Sequence, residues 1–135
     1  MSDFSTYTAD QVADWMSQGT IASAPTDLYI ALFDDTGTEV SGDFANDRVQ
    51  TTAGTDWNFI DAEETNFENA NQIDFGEAAT DVNNIQDVAI YDDTLANGGN
   101  EIARYALDNA PTSIASGSNA IFDTGELEFN VVQRT

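Results

Sequence analysis

The sequence predicts a mainly β protein: an antiparallel β-sandwich with one N-terminal α-helix. Three observations carry that prediction. Helical apolar spacing occurs once, at about residues 9–18. After Pro25 the spacing changes to period two and stays there. The short apolar runs that follow are separated by turns rich in Gly, Asn and Asp. The 135 residues are 41% hydrophobic and 10% aromatic, enough for one folded domain spanning 1–135. No repeat or low-complexity tract divides them.

The helix is read from "TADQVADWMSQG". Thr8 as N-cap and Gln11 three residues later form a capping-box pattern. Asp10 then falls in the first turn, where the helix dipole favours an anion, and Gly19 suits the stop. Val12, Trp15 and Met16 share one face, which predicts packing against the core. "DLYIALF" has apolar residues on both faces and predicts a central strand. "RVQTT" is a short strand, and "DWNFI" and "NQIDF" are weaker candidates within a polar excursion at about 53–82. "QDVAIYD" reads as a buried strand, and "EIARYALD" follows the Asn-Gly-Gly turn of "DDTLANGGN". "NAIFDTGELEFNVV" predicts a terminal hairpin about Asp123-Thr124-Gly125. In its second arm Leu127, Phe129 and Val131 form a buried face, and Glu126, Glu128 and Asn130 a wet one.

Charge is the strongest compositional signal. Asp and Glu number 25 against 3 Lys and Arg, a formal net charge of -22. The three cations are Arg48, Arg104 and Arg134, with no Lys and no His. Such a chain repels itself in dilute buffer, and molar salt, with a Debye length of about 3 Å, screens the repulsion. Adaptation to high salt is the reading this favours over an ordinary acidic protein or a mimic of DNA. The charge predicts no binding to nucleic acid and no attraction to anionic lipid. The acidic start lacks the apolar core of a secretory signal, and no run approaches the roughly 18 apolar residues of a membrane span. With no Cys there are no disulfides and no thiolate metal sites.

Catalysis is hard to assemble from these residues. Without His, Cys or Lys, the common bases and covalent nucleophiles are missing. The adjacent acids Asp34-Asp35, Glu63-Glu64 and Asp92-Asp93 are what chance gives at this density, and glycosidase carboxylates are set by distance across a cleft. The chain is therefore expected not to be an enzyme and to need no cofactor. Calcium is the one cation its oxygen ligands suit, with Asp34, Asp35 and Glu39 the ligands to test, although "DDTGTEVSGD" lacks EF-hand spacing. Hydrated turns are the alternative reading of these loops. Arg48 and Arg104 either recognise an anionic partner or, as the crowd of acids favours, close internal ion pairs. Trp57, Phe59 and Phe67 are candidates for an exposed recognition patch, with core packing as the competing reading.

Three stretches, "LYIALFDDTGTEVSGDFANDRVQ", "VAIYDDTLANGGNEIARYAL" and "IFDTGELEFNV", resemble small virion proteins of tailed phages, often labelled tail-fibre or head-fibre proteins. The matching positions are Leu28 to Phe33, Glu39 to Gly42, Phe44, Ala45, Arg48, Val88 to Asp92, Ile121, Leu127 and Phe129. Two departures stand out. Phe44 replaces a usual Tyr, and Asn46-Asp47 separates Ala45 from Arg48.

The resemblance implies a non-enzymatic structural protein of a virus particle, associated with other virion proteins in many copies. Joined to the acidic composition, it implies a virion protein of a haloarchaeal tailed virus, assembled in a high-salt host cytoplasm. Its expected place is the outer surface, as a capsid decoration, a vertex or turret component, or a head fibre. One alternative is a tail-fibre or baseplate module that contacts the host surface. The other is a calcium-binding adhesion domain. Phe44, Arg48, Trp57, Phe59, Phe67 and Arg104 are the candidate subunit or partner contacts.

Overall fold

The computed structural model describes the backbone of residues 2–61 and 66–131. In chain order the elements are β1 (Ser2–Phe4), α1 (Thr6–Gln18), β2 (Asp27–Asp34), β3 (Arg48–Thr52), β4 (Trp57–Asp61) and β5 (Asn66–Asn69). Then follow β6 (Ile73–Glu77), β7 (Val82–Tyr91), β8 (Glu101–Ala106), β9 (Thr112–Ile114), β10 (Asn119–Phe122) and β11 (Glu128–Asn130). The main sheet has the order β1-β8-β7-β2-β3, with β9 pairing the first half of β7. β10 pairs β6, and β11-β5-β4 form a third sheet. The pairs are antiparallel, and the fold is the mainly β, sandwich-like architecture with one N-terminal helix that the sequence predicts.

β2 is central because its side chains are apolar on both faces. It lies between β7 and β3, and Ile30, Ala31, Leu32 and Phe33 are all buried. Ile30 and Leu32 point into the larger core with Val88, Ile90, Phe75 and Phe129. Ala31 and Phe33 turn to the opposite face, where they meet Ala89 and Tyr91. Phe129 is the hub of an aromatic group, with ring centroids 4.2 Å from Tyr105, 5.2 Å from Phe67 and 5.6 Å from Trp57. Aromatics of this kind carry the largest buried areas of a small core.

One polar residue lies at the centre of the packing. Asn69 is fully buried, and its side chain is satisfied on every side. Its Nδ2 donates to the Asn71 and Asp123 carbonyls at 2.9 Å, and its Oδ1 accepts from the Leu127 amide at 2.9 Å. This side chain ties the 123–127 turn to the end of β5, so Leu127 and Phe129 enter the core in register.

The structure differs from the sequence reading in four places. The helix begins three residues before the predicted cap: Ser5 is the N-cap and accepts from the Thr8 amide at 3.2 Å. Asp10 is therefore outside the first turn. Gly19 does end the helix, in the left-handed conformation. Val12, Trp15 and Met16 are exposed, and α1 buries none of its residues. Its first turn is pinned to β8 by the Thr8 hydroxyl, which donates to the Ile102 carbonyl at 2.8 Å. None of the described strands crosses the apolar stripe beyond it.

The predicted terminal hairpin is not one. β10 pairs β6 and β11 pairs β5, so the Asp123-Thr124-Gly125 turn hands the chain from one sheet to another. The alternation of the second arm is nonetheless right, with Leu127 and Phe129 buried and Glu126, Glu128 and Asn130 exposed. The 53–82 segment, expected as an excursion, supplies β4, β5 and β6 and the buried Ile73 and Phe75. Polar residues such as Asn58, Asp74 and Glu77 stand between its apolar ones and dilute the apolar signal. The short strands β1, β5 and β9 escaped the sequence reading because three or four residues carry too little periodicity.

Candidate functional site

The two described arginines of this chain lie on the outer face of the main sheet. Register places Arg104, Ala89, Ala31 and Arg48 in one row across β8, β7, β2 and β3. The two alanines leave room for the flanking guanidiniums to lie across the sheet. Arg104 stacks 3.6 Å over the Phe33 ring and Arg48 3.7 Å over the Tyr91 ring. Phe33 and Tyr91 are themselves near-parallel, with centroids 6.3 Å apart. Two cations thus bracket an aromatic pair, an arrangement that cation–π attraction favours.

Arg48 is the tighter of the two. Its Nε and Nη2 donate to the two oxygens of Glu39 at 2.7 and 2.9 Å, a bidentate pair. Its Nη1 donates to the Asp93 and Gly98 carbonyls, both at 2.8 Å. One side chain, 3% exposed, therefore joins the loop before β3 to the loop between β7 and β8. Arg104 makes a shorter-range pair with Glu101 at 2.6 Å, and about a third of its side chain remains exposed. Burial raises the Tyr91 pKa above its ordinary value, and the charges of Glu101 and Glu39 add to this against Arg48 and Arg104.

Two of the candidate calcium ligands are engaged by protein donors. Asp34 Oδ1 accepts from the Thr36 hydroxyl at 2.6 Å and from the Thr36 and Thr38 amides at 2.9 Å. Those bonds, led by the Thr36 hydroxyl, hold its pKa below the usual carboxylate value. Asp35 is exposed, and both Glu39 oxygens face Arg48. Among the described residues no group of three or more acidic side chains is placed to hold a metal ion.

Other acids repeat the role of Asp34. Asp47 accepts from the Gly42 amide, Asp56 from Thr52, Asp74 from Gly76 and Asp81 from Ser116, at 2.6–2.8 Å. Asp92 accepts from Asn100, and Asp93 from Thr94 and the Asn97 side chain, which lowers the Asp93 pKa. These carboxylates close turns, as short Asp side chains do. The two residues before Arg48, Asn46 and Asp47, belong to this system. Asn46 donates its amide to the Phe75 carbonyl at 2.9 Å, and Asp47 holds Gly42.

The remaining predicted contacts divide. Phe44 is buried against Phe75, with centroids 6.2 Å apart. Trp57 and Phe67 meet edge to face at 5.7 Å beside Phe129, and the Trp57 indole donates to the Thr51 hydroxyl at 2.9 Å. Phe59 alone of the three excursion aromatics is solvent-facing, 63% exposed, next to the exposed Ile60. Glu63, Glu64 and Arg134 lie outside the described residues. Sequence reasoning missed Asn69, Phe33 and Tyr91 as partners of this framework. For the last two, the single small residue in each of β2 and β7, Ala31 and Ala89, was the available signal. A surface pocket of about 340 Å³ opens between β7, β9 and β10, floored by Leu32, Ile85 and Phe122, with exposed Asp108 and Glu126 beside it.

The two described arginines are thus paired and stacked within the β-rich fold, and several of its acids accept backbone amides in its turns. Residues 3–130 match the family model described as "Podophage GP4 fiber I protein gp80", and the chain belongs to that family of tailed-phage fibre proteins. The family is a class of virion structural proteins and not a class of enzymes. No curated protein matches the chain.

Proposed function

We propose that this fibre protein is an outward-facing component of the particle of a halophilic tailed virus, as a capsid decoration, a vertex or turret component, or a head fibre. The observation that carries this reading is the disposition of charge. The formal charge is -22, and both described arginines are committed within the fold. The surface that remains is acidic, repels packaged DNA and stays hydrated in concentrated salt. Partners are other virion proteins, in many copies.

Mass spectrometry of purified particles, followed by immunogold labelling of intact virions, tests the reading. Label over the head shell or a vertex is the expected result. Absence of the protein from particles overturns it. Label confined to the tail supports the second reading, a tail-fibre or baseplate module that contacts the host surface. The exposed Phe59-Ile60 pair on β4 favours that alternative, since a recognition patch presents aromatic surface.

A further inference from the structure

The apolar face of α1 is left open by the fold, with Val12, Trp15 and Met16 exposed by 43, 58 and 78%. Ile21, also exposed, follows the helix, and the Ala22 amide binds Gln11 Oε1 at 2.8 Å, which folds this segment back beside α1. We propose that a second copy of this chain covers this face, helix against helix, about a two-fold axis.

The charge pattern selects the occupant. At about 100° per residue, Val12, Trp15 and Met16 fall within one narrow stripe. The flanking positions are Ala9, Ala13 and Gln11, all uncharged. The acids of the helix, Asp10 and Asp14, lie more than about 140° from the stripe's centre. A partner with a basic rim needs carboxylates beside the stripe, and there are none. Acids make up 25 of the 135 residues, so an uncharged seam is informative. It is where two chains of this charge can meet with no carboxylate in the contact. A self-complementary stripe is also what an isologous contact requires.

The four side chains leave roughly 400–500 Å² of apolar surface per copy, a patch as large as monomers commonly carry. Standard interfaces bury about 800 Å² per partner, so the flanking Ala9, Ala13 and Gln11 contribute to the contact as well. Two copies repel strongly at low ionic strength, and the contact closes once salt screens them. The seam stands apart from the virion reading and shares with it only this salt dependence.

Sedimentation equilibrium of the full chain at about 50 µM, from 0.05 to 3 M NaCl, tests the proposal. The wild type is expected to reach twice its 14.6 kDa at molar salt. Trp15→Ser/Met16→Ser is expected to stay monomeric there with at least a tenfold weaker association. An unchanged thermal transition will show that its β domain is intact, because α1 buries no residue. Ile121→Ser, exposed elsewhere on the molecule, is expected to pair like the wild type. A wild type that is monomeric at every salt concentration overturns the proposal, and so does a double variant that pairs as well as the wild type. Either result leaves the particle-localisation test untouched.

Discussion

Replacing Arg48 with Ala tests whether the outer-face clamp holds the loops of this fold. The substitution removes a bidentate pair with Glu39, two bonds to the Asp93 and Gly98 carbonyls, and the stack on Tyr91. The Arg48 side chain is almost fully enclosed, so the loss differs from that of a surface pair. Breaking a buried pair by deleting one partner costs about 3–5 kcal/mol, because the other charge is left uncompensated. Glu39 keeps some contact with water, which argues for the lower half of that range. At about 3–5 °C per kcal/mol for a chain of this size, Tm should fall by roughly 10–15 °C. Thermal denaturation followed by circular dichroism measures the fall, and urea denaturation measures the loss of free energy. Glu39→Gln/Arg48→Met, which removes both charges, should recover part of the loss. Arg104→Ala should cost only about 1 kcal/mol, since its pair with Glu101 is half exposed. If Arg48→Ala and Arg104→Ala cost the same, or if the double variant is no better than Arg48→Ala, the clamp argument fails.

Gly76→Ala should destabilise by about 2–4 kcal/mol in the same assay: its φ is +85° and a new Cβ would sit 2.6 Å from the Ala45 Cβ. Asn69→Ala should cost about 2–4 kcal/mol by leaving the Leu127 amide and the Asn71 and Asp123 carbonyls without their partner. Tyr91 has a raised pKa in the fold, so its contribution is complete below the unfolded value near 10 and is lost as pH rises through the higher folded value. Phenolate absorbance should therefore show a late-titrating component that is reduced in Tyr91→Phe. Melting temperature should rise from millimolar to molar NaCl, and a flat profile would remove the high-salt reading.

Much of the fold was legible because β2 and the chain's end state their environment plainly. "LYIALF" has no polar face, so it has to be central, and Leu127 and Phe129 alternate with acids, so one side has to be buried. Pairing partners were not legible. The turn about Gly125 looks like a hairpin turn locally, yet the buried amide of Asn69 captures that turn and sends β11 to β5. A single Asn among many gives no sign that it is buried. α1 shows the opposite limit. Its apolar stripe predicts packing against the core, and the structure leaves that stripe exposed, because periodicity shows that a face is apolar and not what lies against it.

The excess of Asp has a cause besides solvent. Asp34, Asp47, Asp56, Asp74, Asp81 and Asp93 each accept backbone amides within their own or a neighbouring turn, a reach that Asp has and a longer acid does not share so readily. Turn chemistry alone would therefore enrich Asp in a protein with this many strand-to-strand turns among its described residues, whatever the salt. It does not explain the absence of Lys. A fold with this many acids could recruit lysines for surface pairs worth up to about 1 kcal/mol each. Instead, both described cations are arginines in stacked positions that demand a planar guanidinium. The high-salt reading thus rests on the missing lysines more than on the abundant aspartates. Adding surface lysines opposite exposed acids such as Asp35 should raise stability in dilute buffer and leave it unchanged at molar salt, where the added attraction is screened.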